Sequence, residues 1–326
     1  MKNAIKLNTI FAVISTCFSV SSFSQRIAKL IEKSESFPFN ETITQEQIKD
    51  LGFKKGSYDI EKSKEYIRYY HAPASSKDGI HYSVKYDTDG KESTVKLDLP
   101  KDALKEKYSG TVILLHGFRS SKEFMLFSAQ YFRFLGFQVV APDLLGHGES
   151  NSTKKYGVGD SEIINKLIDA LISKGDIKDK PLYIVGNSMG ALTALYISAM
   201  RSDLNGIILL APMVPFDQAV YNYGRLNHPI LSRVIPENKI RKGANLALEQ
   251  SGIEPSDTNI LPLLYSSKLP ILLISSPSDL IAPYGNYIAL DQSNINLVKI
   301  PNRSHPSIST IGNIEHEAII SWLNKL

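Results

Sequence analysis

Hydrolysis of an ester or amide by side chains needs a nucleophile, a base that takes its proton, a group that orients the base, and donors for the oxyanion. In this chain the nucleophile candidate is Ser188, in Gly186-Asn187-Ser188-Met189-Gly190. Residues 181–185 before it form a short apolar run rich in strand formers, and residues 191–200 after it read as a helix. A Ser at a turn between a buried strand and a helix is forced into a strained, exposed position. Only small residues fit two places to either side, and the helix N-terminus favours developing negative charge. The G-x-S-x-G pattern alone is common, since roughly one chain in ten of this length matches it by chance at average Gly and Ser usage. The strand-turn-helix setting gives it weight.

Three further stretches surround this one. Residues 111–115 are a buried-strand run ending in His116-Gly117-Phe118. Residues 139–143 end in Asp143 and lead into Leu144-Leu145-Gly146-His147-Gly148-Glu149-Ser150. Asp279 follows a strand at 271–275, and His305 follows one at 296–300. With the order Ser, Asp, His and the D-x-x-G-H-G-x-S loop, the chain resembles an α/β-hydrolase. It is most similar to the monoacylglycerol lipase, lysophospholipase and serine-aminopeptidase branch, over about residues 66–326.

The resemblance implies roles. Ser188 would be the nucleophile, His305 its base, and Asp279 the acid that orients the imidazole. The backbone N–H groups of Phe118 and Met189 would receive the oxyanion. The family usually has Gly three positions before the acid, whereas here Ser276-Pro277-Ser278 precede Asp279; Asp217 is the alternative acid. His316, on the terminal helix, and His228 suit the role of base less well. His147 invites a catalytic reading, but the family's loop is structural. Asn187 replaces the His common before the nucleophile in the lipase branch.

These residues need a scaffold. Strands at 66–71, 80–86 and 94–99 are expected as the antiparallel edge of a sheet, the last two joined by an Asp-Gly turn. From residue 111 strands and helices alternate (helices near 121–135, 161–173 and 190–200), as in a parallel sheet covered on both faces. The rhythm breaks at 212–265, where six prolines punctuate helical stretches near 217–226 and 240–250. This insertion is expected to be a small helical cap. Phe216 and Tyr221, with Met213, Val214, Val220 and Tyr223, are candidate walls for an acyl chain; the alternative is that they only seat the cap on the core. Arg225, Arg233, Arg241 and Lys242 read as a solvated basic face. Residues 25–65 form an N-terminal extension with a helix from Arg26 and a capping box at Thr44-Gln-Glu-Gln47.

Residues 1–24 are different material. Lys2 and Lys6 precede an apolar run without acids and then Ser21-Ser22-Phe23-Ser24. This pattern predicts a secretory signal cut near Ser24, hence a secreted or periplasmic protein. An uncleaved anchor and lipidation at Cys17 are the alternatives. Cys17 is the chain's one cysteine, so the remainder needs no disulfide. The formal charge of +4 becomes +2 without the two lysines, too little to argue for nucleic acid. No metal-spaced His or Cys cluster and no dinucleotide loop is found, so no cofactor is expected. The expected activity is a cofactor-free serine hydrolase on lysophospholipid- or monoacylglycerol-like esters, with room for peripheral membrane contact. A peptidase or thioesterase with the same groups, or a non-catalytic binding protein on this fold, are the alternatives.

Overall fold

Strand β5 (Thr111–Leu115) shows how the core is divided: Ile113 and Leu115 point into one apolar cluster, Val112 and Leu114 into another on the opposite face. β7 (Leu182–Asn187) alternates the same way, with Leu182 and Ile184 on one side and Tyr183 and Val185 on the other. A strand buried on both faces has to be apolar throughout, which is what these sequences supply. The structure is a computed structural model and describes residues 20–37, 44–61, 63–76, 79–88, 91–100 and 108–326.

Among the described residues the first elements are α1 (Val20–Glu32) and α2 (Gln45–Asp50), then β1 (Lys54–Asp59), β2 (Tyr66–Ala72), β3 (Gly79–Thr88) and β4 (Lys91–Pro100). After β5 come α3 (Leu126–Phe134), β6 (Gln138–Pro142), α4 (Asp160–Ser173), β7, α5 (Met189–Met200) and β8 (Leu204–Leu210). Among the described residues the main sheet has eight strands, in the order β1-β2-β6-β5-β7-β8, then β9 (Ile271–Ser275) and β10 (Ile295–Lys299). β6 through β10 run parallel, and β1 and β2 are antiparallel at one edge. One apolar cluster packs beneath α4 and α5. The other packs beneath α3 and the final α10 (Asn313–Leu323), whose Trp322 lies edge-on to Tyr183 at 6.2 Å.

The antiparallel edge differs from expectation. Of the three strands expected there, only β2 joins it; β3 and β4 pair with each other as a separate ribbon. The edge position is filled by β1, which comes from within residues 25–65, so that segment contributes a strand to the sheet itself. The ribbon instead buries Leu97 and Leu99 in the cluster under α3 and α10. Its Tyr82 hydroxyl donates to Ile311 O (2.5 Å), and its Tyr86 hydroxyl meets Thr310 Oγ1 at the same distance. The expected Asp-Gly turn, at residues 89–90, lies outside the described residues, as does residues 1–19 of the expected signal. Residues 20–24 belong to α1.

Between β8 and β9 stand α6 (Phe216–Asn227), α7 (Pro229–Val234), α8 (Glu237–Gln250) and α9 (Ile260–Ser266). Three of the prolines that interrupt the sequence rhythm mark helix starts: Pro215 and Pro236 precede α6 and α8, and Pro229 opens α7. Proline suits the first helical turn, whose N–H groups have no intrahelical acceptor. The capping box of α2 forms, with Gln47 N–H donating to Thr44 Oγ1 (3.2 Å) and Thr44 N–H to Gln47 Oε1 (2.7 Å).

Candidate active site

Ser188 joins β7 to α5 with φ 52° and ψ −114°. A non-glycine residue held there costs about 1–3 kcal/mol, so its surroundings must enforce it. They do so through the backbone. Ser188 N–H donates to Leu210 O (3.0 Å), and its carbonyl accepts from Ala191 N–H (3.0 Å) and Met213 N–H (3.3 Å). The flanking glycines are required by contact: a Cβ on Gly186 would stand 2.3 Å from Gly190 O, and one on Gly190 would stand 2.3 Å from Leu115 O. α5 is apolar on all sides because it is enclosed, with Met189 through Leu195 buried.

His305 arrives from the loop after β10. Its Nε2 lies 2.8 Å from Ser188 Oγ and its Nδ1 2.7 Å from Asp279 Oδ2. The other carboxylate oxygen of Asp279 accepts from Ile281 N–H (2.8 Å) and Ala282 N–H (2.9 Å). An acceptor facing Nδ1 fixes the proton on that nitrogen and leaves the Nε2 lone pair toward the serine hydroxyl. Ser188 and Asp279 are buried, and His305 keeps a partly open edge.

The turn before Asp279 needs no glycine, since none of its residues has positive φ. Ser276 Oγ accepts from Ser278 N–H (3.1 Å) and reaches Arg303 N–H (3.4 Å), while Ser276 O accepts from Asp279 N–H (3.2 Å). One hydroxyl thus ties the acid turn to the histidine loop. The guanidinium of Arg303 braces that loop through Ser307 O (3.3 Å), Thr310 O (3.1 Å) and buried Glu315 (2.5 Å). Asp217, the alternative acid, instead pairs with Arg241 (3.1 Å) and ties α6 to α8.

The loop after β5 lies against the serine: a Cβ on Gly117 would stand 3.2 Å from Ser188 Cβ. Met189 N–H, first in α5, has no intrahelical acceptor, and Phe118 N–H has no backbone acceptor among the described residues. His116 below them is buried, accepting Leu144 N–H at Nε2 (2.9 Å) and donating from Nδ1 to Gly117 O (2.8 Å). Burial lowers its pKa to about 4, so it stays neutral at pH 7. His147 donates from Nδ1 to Leu145 O (2.9 Å), and its edge meets the rings of His116 and Phe118. Burial, then His116, lowers its pKa to about 3. Neither is bonded to the Ser188–His305–Asp279 chain; both support the loop.

Sequence reasoning missed a buried ionic cluster. Lys122 Nζ contacts Asp143 (2.7 Å), Glu149 (2.7 Å) and Glu123 (3.0 Å), and Asp143 also accepts Lys122 N–H (2.8 Å) and Glu149 N–H (2.9 Å). Burial pulls the Lys122 ammonium pKa down, and Asp143 and Glu123 more than offset this, leaving it raised. The cluster pins the segment after the β5 loop to the loop after β6. Its sequence signal is Lys122-Glu123 directly before the apolar run Phe124-Met125-Leu126-Phe127. Ser276 and Arg303 were missed for a simpler reason: their partners lie 27 and 12 residues away.

On the cap side, Phe216 is buried, with its ring edge-on to Phe118 (5.2 Å) and Tyr156 (5.0 Å). Tyr221 is half-buried on α6 beneath Arg225 (5.8 Å to the ring centroid) and has no ring partner in that cluster among the described residues. Among the described residues no group of three or more His, Cys, Asp or Glu could hold a metal, and no helix is long and apolar enough to cross a membrane.

The serine aminopeptidase (S33) family model matches residues 106–259, which include the elbow and the β5 loop but stop short of Asp279 and His305. Caffeoylshikimate esterase of Arabidopsis thaliana is 31% identical over 142 residues, 39% of this chain and 42% of that protein. Phospholipase YtpA of Bacillus subtilis is 24% identical over 162 residues, 49% of this chain and 62% of its own. The matches thus span less than two thirds of these relatives. Among solved structures, the Pyrococcus furiosus esterase superposes with TM-score 0.60 at 18% identity, covering 90% of this chain and 98% of its own. An α/β-hydrolase of Vibrio vulnificus gives TM-score 0.60 at 16% identity, covering 94% and 95%.

Proposed function

We propose that this chain, which has the α/β-hydrolase fold, is a serine esterase acting through an acyl-enzyme. The observation that carries the reading is the continuous chain Asp279–His305–Ser188, with contacts of 2.7 and 2.8 Å, ending on a serine held at positive φ. Ser188 Oγ attacks the ester carbonyl as His305 Nε2 takes its proton. The oxyanion forms against the N–H groups of Phe118 and Met189, where a single donor is worth about 10²–10³ in rate. Collapse expels the alcohol, protonated by His305, and leaves the acyl group on Ser188. Water activated by the same nitrogen then releases the acid. Asp279 holds the tautomer and stabilises the imidazolium.

The apolar cluster of Phe118, Met213, Val214 and Phe216 beside Ser188 supports lysophospholipid- or monoacylglycerol-like esters as substrates. The relatives, an esterase and a phospholipase, agree with ester chemistry. A fluorophosphonate probe with peptide mapping tests the reading: the adduct is expected on Ser188 and is expected to vanish in Ser188→Ala. No adduct, or one elsewhere, would remove the claim. p-Nitrophenyl esters assayed beside aminoacyl amides separate esterase from peptidase.

Secretion is also part of the proposal, resting on the amino-terminal sequence pattern. Mass spectrometry of the exported protein is expected to find its first residue near Gln25; Met1 or an acylated Cys17 on it would overturn this.

A further inference from the structure

The N-terminal segment runs from the cap to the loop carrying Phe118. α1 lies on α8, with Ala28 and Ile31 buried. The approach depends on Gly243, where a Cβ would stand 2.6 Å from Ile27 Cβ. Lys154 Nζ then donates to Glu32 O (2.9 Å) at the end of the helix.

Residues 35–37 next meet the loop Gly117-Phe118-Arg119-Ser120. Phe37 N–H donates to Arg119 O (2.7 Å), and Arg119 Nε donates back to Glu35 O (3.1 Å). The Arg119 guanidinium covers the Phe37 ring at 4.3 Å. Ser36 Oγ donates to Ser120 O (2.9 Å) and accepts Gly148 N–H (2.9 Å). Arg119 has φ 56°, a conformation that a non-glycine residue holds only when its neighbours enforce it. Inside the loop the backbone makes the single bond Ser120 N–H to Gly117 O (3.1 Å) among the described residues. Residues 35–37 hold Arg119 and Ser120 from outside the loop.

We propose that residues 35–37 are a strap that positions the oxyanion loop, with Ser36 and Arg119 as positioning residues that never touch substrate. The inference rests on the reading of Phe118 N–H as an oxyanion donor. Arg119 follows Phe118 directly, so releasing it lets the preceding peptides tilt. A donor displaced by a fraction of an ångström loses its advantage in the transition state more than in the bound ester. The strap therefore acts on kcat rather than KM, and equally for short and long acyl chains. Because α1 is seated on α8, the strap also joins the cap to the oxyanion loop by a path outside the cleft.

The test uses the full chain with Ser36→Ala, Arg119→Ala and Ser36→Thr. The two alanine variants are expected to lower kcat roughly tenfold on p-nitrophenyl acetate and octanoate alike, as for a misplaced rather than absent donor, with KM within about twofold. Ki for a trifluoromethyl ketone, which binds as a tetrahedral adduct, is expected to rise in parallel. Ser36→Thr, which keeps the hydroxyl, is expected to restore both. Circular dichroism checks folding. Should Ser36→Ala not fold, Arg119→Lys, which lacks the Nε donor, takes its place with the same expectation. Unchanged kcat in folded variants, a kcat loss without a rise in Ki, or a KM effect confined to long chains would each overturn the proposal. Ser188→Ala, measured alongside, reports on the underlying reading: normal turnover there would sink the serine-hydrolase assignment whatever the strap variants do.

Discussion

The elbow and the cap face each other across the contact of Phe118 with Phe216, and they are built by opposite means. At the elbow the fit is backbone against backbone: Gly186 on Gly190, and Gly190 on the end of β5, leave no room for one added carbon. Every residue from Leu182 to Leu195 is buried. The cap is held by side chains, and its attachment thins with distance from the core. α6 buries Phe216 and Ala219, α8 packs on α1, and α7 buries none of its residues. A nucleophile needs a fixed direction, and backbone packing supplies one that neighbouring side chains cannot relax. A substrate wall needs only an apolar surface, which many side-chain arrangements provide.

The largest effects are expected where the elbow meets the proposed catalytic chain. Ser188→Ala and His305→Ala are each expected to reduce kcat to a similar floor, with the double variant little worse, because both disable one proton transfer. Asp279→Asn is expected to cost about 10⁴, as the comparable change does in a serine protease, by favouring the wrong histidine tautomer. Asp217→Asn, across the cleft, removes a part-exposed ion pair with Arg241, and kcat is expected to stay within about twofold of wild type, since such pairs contribute about 1 kcal/mol or less to stability. Steady-state kinetics on folded variants decides. A crippled Asp217→Asn with a mild Asp279→Asn would move the acid to the cap and break the contrast.

A smaller effect separates the two cap residues named as substrate walls. Phe216→Ala empties a buried site between Phe118 and Tyr156, and large-to-small changes of this kind cost about 3–5 kcal/mol. Urea unfolding is expected to show that loss, with kcat lowered even on acetyl esters because Phe118 loses its neighbour. Tyr221→Ala is expected to cost about 1 kcal/mol or less and to change only long-chain esters. If Phe216→Ala shifted acyl-length preference alone at full stability, it would be a wall and nothing more.

Much of this was legible in the sequence because it is local. The alternation of strand and helix from residue 111 follows from apolar periodicity, and Ser188 from the small residues around a turn. Prolines at helix starts outlined the cap. What was not legible depends on distant partners. β3 and β4 carry strand patterns as strong as that of β2, and nothing in them reveals that β1 already occupies the sheet edge. The unusual Ser276-Pro277-Ser278 turn makes sense only once Ser276 Oγ is seen between Ser278 and Arg303. Tyr221 looked equivalent to Phe216, yet five residues along α6 the helix face has turned from the Phe118 cluster toward Arg225.

The smallest effect is expected at the far end of the cap. Ile230 and Val234 on α7 are 77% and 74% exposed, so folding removes little of their apolar area from water. Hydrophobic stabilisation scales with the area removed, at about 25 cal/mol per Å², which leaves these side chains little to contribute. Ile230→Ser and Val234→Ser are each expected to change stability by no more than about 0.5 kcal/mol in urea unfolding, the range of ordinary surface substitutions. Turnover of p-nitrophenyl acetate is expected to be unchanged, because neither residue belongs to the apolar cluster that holds Phe118 and Phe216. The measurement is sensitive to the gradient within the cap. A loss in either variant comparable to that of Phe216→Ala would mean that α7 is packed as firmly as the start of α6. The cap would then be as rigidly specified as the elbow, and the division between a backbone-fixed Ser188 and a loosely held cap would fail.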